Sequence, residues 1–481
     1  MREPTMPNAY PHAPLDAPAP SSEGLLEDLA AAGVTYSVAT IDRAEHARDW
    51  WPPLIADVAR GHVERWPGVV VRANSTDDVV ATLRVASAHG VSVCPQGGRS
   101  GVGGGAVPSA GAIALDLTGL NCVVTLDETS STVRVQAGVF GPDLEAATRA
   151  RGFTVGHFPQ SFDLATVGGW IACRGAGQYS NRYGKIEDLV RGLTVVTARG
   201  EVMHLGGHGP RQAVGPDLVA LFVGSEGTLG VITEATLVMR ALPSCERRAA
   251  FSFATFDEGM TACRTIVQRD ARPAVLRLYD EVETKRNFEA EGCALIVLDE
   301  GEEPFVEATM AAVRAACAVA VPLDESMVAH WLDRRNDVSA LAPLWERGLV
   351  VDTIEVAGPW SILEDLRARV TAALLAREGM LVASAHQSHA YLDGACLYFT
   401  FAGLPTSDVA SFYRDAWDVA MEEVIALGGA ISHHHGIGRN RARFVHSALG
   451  DAFDVVVALK AHLDPMNILN PGVLGLGGPA W

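Results

Sequence analysis

The chain has 481 residues, 38 lysines and arginines against 57 aspartates and glutamates, a formal net charge of −19, and 48 glycines, about one residue in ten against a usual ~7%. So acidic a surface repels phosphate backbones, which argues against nucleic-acid and anionic-membrane partners and leaves any anionic substrate dependent on a local basic pocket. Eight cysteines stand singly, with no CxxC and no Cys/His ladder, which argues against a disulfide framework or structural zinc and fits reduced thiols in a cytoplasm.

Residues 1–20 hold six prolines and no continuous apolar run, so they read as an extended segment and not as a signal peptide. Residues 21–65 are charged and helix-compatible, and residues 1–65 form an N-terminal extension and helical preamble. Val69, Val70 and Val71 open a strand. A capped amphipathic helix follows from Ser75 to His89, Gly90 stops it, and residues 91–94 return as a strand, giving a β-α-β opening. Beyond the glycine run at 97–105, the alternating stretches 113–117 and 132–135 predict hairpins. Near 245 the pattern shifts to longer helical stretches with fewer glycines, at 307–319, 361–377 and 408–427. The triplet His433-His434-His435 and the breaker-rich stretch 464–472 close the chain, and the tail is expected to pack on the first domain. No window reaches the ~18 to 20 uncharged apolar residues of a membrane span.

Residues 97–105 read Gly-Gly-Arg-Ser-Gly-Val-Gly-Gly-Gly and directly follow a strand. Glycine lets backbone N–H groups approach an anion with no Cβ in the way, so a phosphate or diphosphate is the natural guest. Gly101-x-Gly103-x-x-Ala106 imitates a dinucleotide fingerprint, which must open a helix. Here Pro108, Ser109 and Gly111 follow, so neither a Rossmann helix nor a Walker loop is available. Two further glycine turns, at 159–170 and 224–233, bring the count to three cradles, which imply one large polar ligand.

The segments Pro95-Gln96-Gly97-Gly98-Arg99-Ser100-Gly101, Thr166-Val167-Gly168-Gly169, Gly224-Ser225-Glu226-Gly227-Thr228-Leu229-Gly230 and Leu469-Asn470-Pro471-Gly472, in this spacing, resemble the FAD-linked oxidases of the vanillyl-alcohol oxidase superfamily. The resemblance spans residues 66–475. It implies an α+β protein: a PCMH-type FAD-binding domain of two α+β subdomains at 66–244, a cap with an antiparallel sheet and helices at 245–430, and a segment at 431–481 that returns to the flavin. It sets FAD against Pro95, Gln96, Gly97, Gly98, Arg99, Ser100, Gly101 and Val102. Further contacts fall on Gln160, Ser161, Thr166, Gly168 and Gly169, on Cys173, Gly175 and Ala176, and on Glu226, Gly227, Gly230 and Ile232. Arg99 stands where some relatives tether the flavin through a histidine, which implies non-covalent FAD.

Within the superfamily, Thr154-Val155-Gly156-His157, Asp393-Gly394-Ala395-Cys396-Leu397-Tyr398-Phe399 and Ser432-His433-His434-His435-Gly436 look like alkyldihydroxyacetonephosphate synthases and their bacterial relatives. That likeness implies His157, Tyr398, His434 and His435 at the reacting centre, with Arg277 a further candidate. Flavin chemistry needs a base for the substrate proton and a positive group beside the reduced ring. Clustered histidines supply both, whereas Tyr398, ordinarily near pKa ~10, becomes a base only if neighbouring charge lowers it. In an extended segment His433 and His435 share one face and His434 takes the other.

Two reactions stay open, with a non-catalytic flavin-binding protein as a third reading. One is hydride removal from a small hydroxylated or amino substrate, with oxygen or another carrier as electron acceptor. The other is a redox-neutral exchange on a ketone phosphate, as in ether-lipid synthesis. The synthases hold the substrate phosphate on a cap arginine whose counted position here is Leu341, so the anchor is in question. Related D-2-hydroxy acid dehydrogenases carry a metal on two histidines and a glutamate. The corresponding positions here are His389, Tyr398 and His434, so no metal is expected. A homodimer in the cytoplasm is compatible with this reading.

Overall fold

The computed structural model describes residues 16–478 except 60, 208, 338–343, 346 and 407. Helix Thr76–His89 starts at a capping box, in which Ser75 and Asp78 each accept the other's backbone N–H, and it ends on Gly90 at a left-handed φ of 63°. The strands on either side of it, Val69–Arg72 and Val93–Gln96, do not touch. Ile113–Asp116 lies between them, parallel to both, with Tyr36–Ser37 completing a four-stranded sheet. The expected hairpin at 113–117 is therefore corrected: this strand is central and all four of its residues are buried, as parallel strands covered on both faces are. Thr132–Gln136 does form a hairpin, with Val123–Asp127, inside a five-stranded antiparallel sheet that also contains Val231–Val238, Val190–Val196 and Val202–Gly206.

Residues beyond 245 build a seven-stranded antiparallel sheet, ordered Val321–Leu323, Cys245–Phe253, Cys293–Gly301, Val275–Tyr279, Met380–Ala390, Gly394–Gly403 and Val350–Pro359. Its period of two sorts side chains between two cores. Leu276, Leu278, Leu295, Val297, Leu397 and Phe399 join the core shared with helices Phe256–Gln268, Leu363–Leu375 and Val409–Ala426. Val275, Tyr279, Ile296 and Leu298 fall on the opposite face, packed with Tyr179, Tyr183 and Trp331. Arg277 and Tyr398, each between two residues of the first set, are turned to this second side. The helix expected at 307–319 runs instead over Glu303–Ala316.

The C-terminal tail reaches the first sheet. Leu469 forms a parallel bridge with Val93, and the Asn470 amide donates to the carbonyls of Gly105 and Glu226, at 2.9 and 2.8 Å. Among the described residues, no helix is long and apolar enough to cross a membrane.

Candidate active site

A cavity of about 1760 Å³ runs between the glycine loops and the cap sheet. Every sequence-predicted site residue except His157 lines it: the whole stretch 95–102, then Gln160, Ser161, Thr166, Gly168, Gly169, Cys173, Gly175, Ala176, Glu226, Gly227, Gly230, Ile232, Arg277, Tyr398, His434 and His435.

The loops meet so closely that side chains have no room. A Cβ on Gly98 would lie 1.7 Å from the Leu164 carbonyl oxygen, and one on Gly97 2.2 Å from Thr166 Oγ1. Thr166 also caps the short helix Val167–Ala172, accepting the Gly169 N–H. Two buried carboxylates brace the arrangement. Asp49 accepts the Trp51 N–H at 3.0 Å, and burial pushes its pKa up to about 7. Glu226 accepts the N–H groups of Ile437 and Gly438 at 2.6 and 2.8 Å, which ties its loop to the segment after the histidine triplet; burial raises it likewise to about 7. In the first loop Arg99 sits at a left-handed φ of 55°, with a buried Nε that has no partner among the described residues. Closely approachable backbone beside a buried, unpartnered guanidinium nitrogen suits a diphosphate-bearing ligand.

On the cap side one carboxylate organises the histidines. Glu355 is fully buried and accepts from Ser432 Oγ at 2.8 Å, from the backbone N–H groups of His433, His434 (3.3 Å) and His435 (2.9 Å), and from Arg441 Nη1 at 2.6 Å. Those bonds bend the triplet, so the expected alternation fails: His434 and His435 both line the cavity and His433 does not. Burial, reinforced by the neighbouring imidazoles, holds His434 well below the usual histidine value, and burial brings His435 down to about 4. Both are neutral at pH 7. A register shift between Gln387 and His389 accompanies the placing of His386, Ser388 and His389 together on the cavity wall.

Two expectations change. His157 lies off the cavity, 4.7 Å from Trp170 between ring centroids, with both ring nitrogens buried and unpartnered among the described residues. Burial, then the Lys185 charge, lowers its pKa to about 3. Tyr398 is not prepared as a base either: burial drives its hydroxyl above the ordinary tyrosine value, and the opposing Thr353 bond and Arg277 charge do not offset it. It accepts a hydrogen bond from Thr353 Oγ1 at 3.1 Å, which leaves its own proton to donate.

Sequence reasoning missed several lining residues. Arg48, Trp50, Pro52 and Ile55 come from the N-terminal preamble, where Trp51 is anchored to the cap through Tyr413 at 3.1 Å. Arg335, which is near the Leu341 position in sequence but not at the counted spacing, also lines the cavity, its guanidinium 5.0 Å from the Tyr179 ring, 5.5 Å from Trp331 and 5.9 Å from Phe158. Leu341 lies outside the described residues. Ring nitrogens of His389, His433 and His434 lie within 4.8 Å of one another, as do ligand atoms of Glu355, Cys396 and His434, spacings a metal ion can use. In the histidine group, however, Ser180, Tyr391 and the mutual His433–His434 contact occupy ring nitrogens. The Lys185 ammonium, donating to the His433 carbonyl at 2.7 Å, already supplies a cation.

Comparison with known proteins places both halves of the chain in FAD-linked families. Residues 67–206 match the FAD binding domain family, and residues 242–474 match the C-terminal domain of FAD linked oxidases. The chain is 31% identical over 430 residues to the uncharacterized FAD-linked oxidoreductase YgcU of Escherichia coli (strain K12), covering 85% of this chain and 89% of that protein. It is also 31% identical over 477 residues to the alkyldihydroxyacetonephosphate synthase of Trypanosoma brucei brucei, covering 89% and 75%. A solved alkyldihydroxyacetonephosphate synthase superposes with a TM-score of 0.80 at 25% identity, over 95% of this chain and 87% of that one. p-Cresol methylhydroxylase with substrate bound gives 0.73 at 15% identity, over 96% and 99%, a likeness of fold alone. Two matched domains and a relative aligned over most of its length lead to one assignment: the chain belongs to the FAD-linked oxidoreductases, enzymes whose cofactor is FAD.

Proposed function

We propose that this enzyme removes a hydride from a CH–OH or CH–NH carbon of a small anionic substrate. One observation carries the reading: a single cavity takes in the glycine loops, His434, His435, Tyr398 and two guanidiniums, Arg277 and Arg335, that pair with no carboxylate among the described residues. The loops at 95–102, 160–169, 173–176 and 226–232 hold FAD, with Arg99 beside the diphosphate. FAD, when bound, supplies the hydride acceptor. His434, neutral at pH 7, takes the substrate proton, and Tyr398 donates a hydrogen bond to the substrate oxygen. Arg277 is held at 2.7 Å from His386 Nε2, whose Nδ1 meets Glu283 at 2.7 Å, while Arg335 keeps a buried Nη1 with no acceptor inside its aromatic frame. A guanidinium fork without an internal anion binds a carboxylate or phosphate.

Anaerobic addition of D-lactate, glycolate or glycerol 3-phosphate to the yellow holoenzyme tests this. At least one bleaches the flavin, and Arg335→Ala raises its half-saturating concentration about 10- to 100-fold. No bleaching by any anionic alcohol sinks the reading. The likeness to alkyldihydroxyacetonephosphate synthases supports a second one, a redox-neutral exchange on a ketone phosphate. Release of a fatty acid and formation of an ether from an acyl ketone phosphate and a long-chain alcohol, with no electron acceptor consumed, decides for it.

A further inference from the structure

Taking His434 as the base, as read above, leaves a proton inside a cavity filled by substrate and cofactor. We propose that His433 and Tyr391, neither of which lines that cavity, relay this proton from His434 to solvent. His433 Nδ1 lies 2.9 Å from His434 Nδ1, and His433 Nε2 lies 2.9 Å from the Tyr391 hydroxyl. A neutral imidazole carries one proton, so assigning one nitrogen fixes the other along the whole chain. If His434 Nε2 is bare to accept from the substrate, His434 holds its proton on Nδ1 and donates it to His433 Nδ1. His433 then holds its own on Nε2 and donates it to Tyr391. One polarity satisfies both contacts and leaves a base at the cavity end.

The other end lies where the chain turns at the surface. Tyr391 follows the strand Met380–Ala390 at the turn into Gly394–Gly403, beside Leu392, which is 67% exposed, and the tyrosine is itself only partly buried. In the transfer, the substrate hydroxyl proton passes to His434 Nε2 as the His434 Nδ1–H bond breaks toward His433. The His433 Nε2–H bond breaks toward Tyr391, and Tyr391 releases its hydroxyl proton to water. Each side chain is neutral before and after, and the electron pair travels separately to the cofactor. A proton returning when electrons leave for a two-electron acceptor resets the tautomers. Passing the proton on is favoured over storing it: the Lys185 ammonium at the His433 carbonyl opposes a second positive charge there, and burial together with that ammonium lowers His433 to about 3.

The polarity is measurable without turnover. In holoenzyme labelled with ¹⁵N-histidine, side-chain NMR at pH 7 gives His434 protonated on Nδ1 and His433 protonated on Nε2, the signals assigned with His433→Gln and His434→Gln. Tyr391→Phe keeps the ring, removes the acceptor and turns His433 into a tautomer mixture. A His433 that is cationic or protonated on Nδ1 overturns the relay. For whichever of D-lactate, glycolate and glycerol 3-phosphate bleaches the flavin, Tyr391→Phe slows the limiting bleaching rate about tenfold, alters its H2O/D2O ratio and leaves half-saturation unchanged. A wild-type rate and ratio overturn the relay too. If none of the three bleaches the flavin, the reading of the reaction fails, and the tautomers alone decide the relay.

Discussion

Glu355→Gln removes one charge and changes almost no volume, at the point where the histidine triplet is held. The carboxylate is fully buried and its strongest partner, Arg441, is 3% exposed. Neutralising one member of such a pair strands the other, which costs about 3–5 kcal/mol. The titration points to the same size. Burial alone would raise Glu355, but Arg441, with help from His435 and the backbone N–H donors, holds it down to about 2 against an ordinary 4.5. At about 1.4 kcal/mol per unit, that difference is worth about 3 kcal/mol. Because the folded-state value is depressed, this stability is present above pH 4.5 and is lost as pH falls toward 2. Thermal melts of holoenzyme and variant between pH 7 and pH 3 test it. Glu355→Gln melts several degrees lower at pH 7 and loses the wild type's steepening below pH 4.5. A variant melting within about 1 °C of wild type, with the same acid limb, refutes the argument that charge holds the triplet.

Other consequences are equally direct. Gly98→Ala drives a methyl into the Leu164 carbonyl, so the loops separate and the purified protein is colourless; a full flavin absorbance would contradict the packing. Asp49 and Glu226 have folded-state values raised to about 7 from 3.8 and 4.5, so their contribution is complete below the unfolded values and disappears as pH rises through 7. The melting temperature therefore falls between pH 5 and pH 8, and Asp49→Asn flattens that fall; a slope identical to wild type excludes Asp49 as its source. Tyr398→Phe loses the Thr353 bond, changes stability by about 1 kcal/mol and slows flavin bleaching about 10- to 100-fold, whereas an unchanged bleaching rate removes the hydroxyl from the reaction.

The cofactor side of the site is legible in residue types because close backbone approach demands glycine. Gly97 and Gly98 press against Thr166 and Leu164, and the same glycines are what set the run at 97–105 apart in sequence. Helix Thr76–His89 is legible for a similar reason, since its capping box and its left-handed Gly90 are local chemistry. Residues 113–116 mislead because a short apolar run reads alike for a hairpin strand and a central parallel one. Alternation places Arg277 opposite Leu276 and Leu278, but whether that face meets water or a cavity depends on Tyr179, Tyr183 and Trp331, which arrive from distant parts of the chain.

The most informative residues on the cap side leave a fainter trace that physical chemistry can still follow. Glu355 stands inside an apolar strand, and a carboxylate there requires a buried cation and several donors, which Arg441 and the triplet's own N–H groups provide. The triplet is thus shaped by a charge 78 or more residues away in the chain, and its bent course is what brings two consecutive histidines to one cavity. Arg335 inverts that logic. A guanidinium framed by three rings, with a buried Nη1 and no ion-pair partner among the described residues, is placed to take the anion that the proposed reaction requires. In a chain of net charge −19 the surface repels such an anion, so the proposed reaction needs a local basic pocket, and Arg277 and Arg335 are the residues proposed to form it.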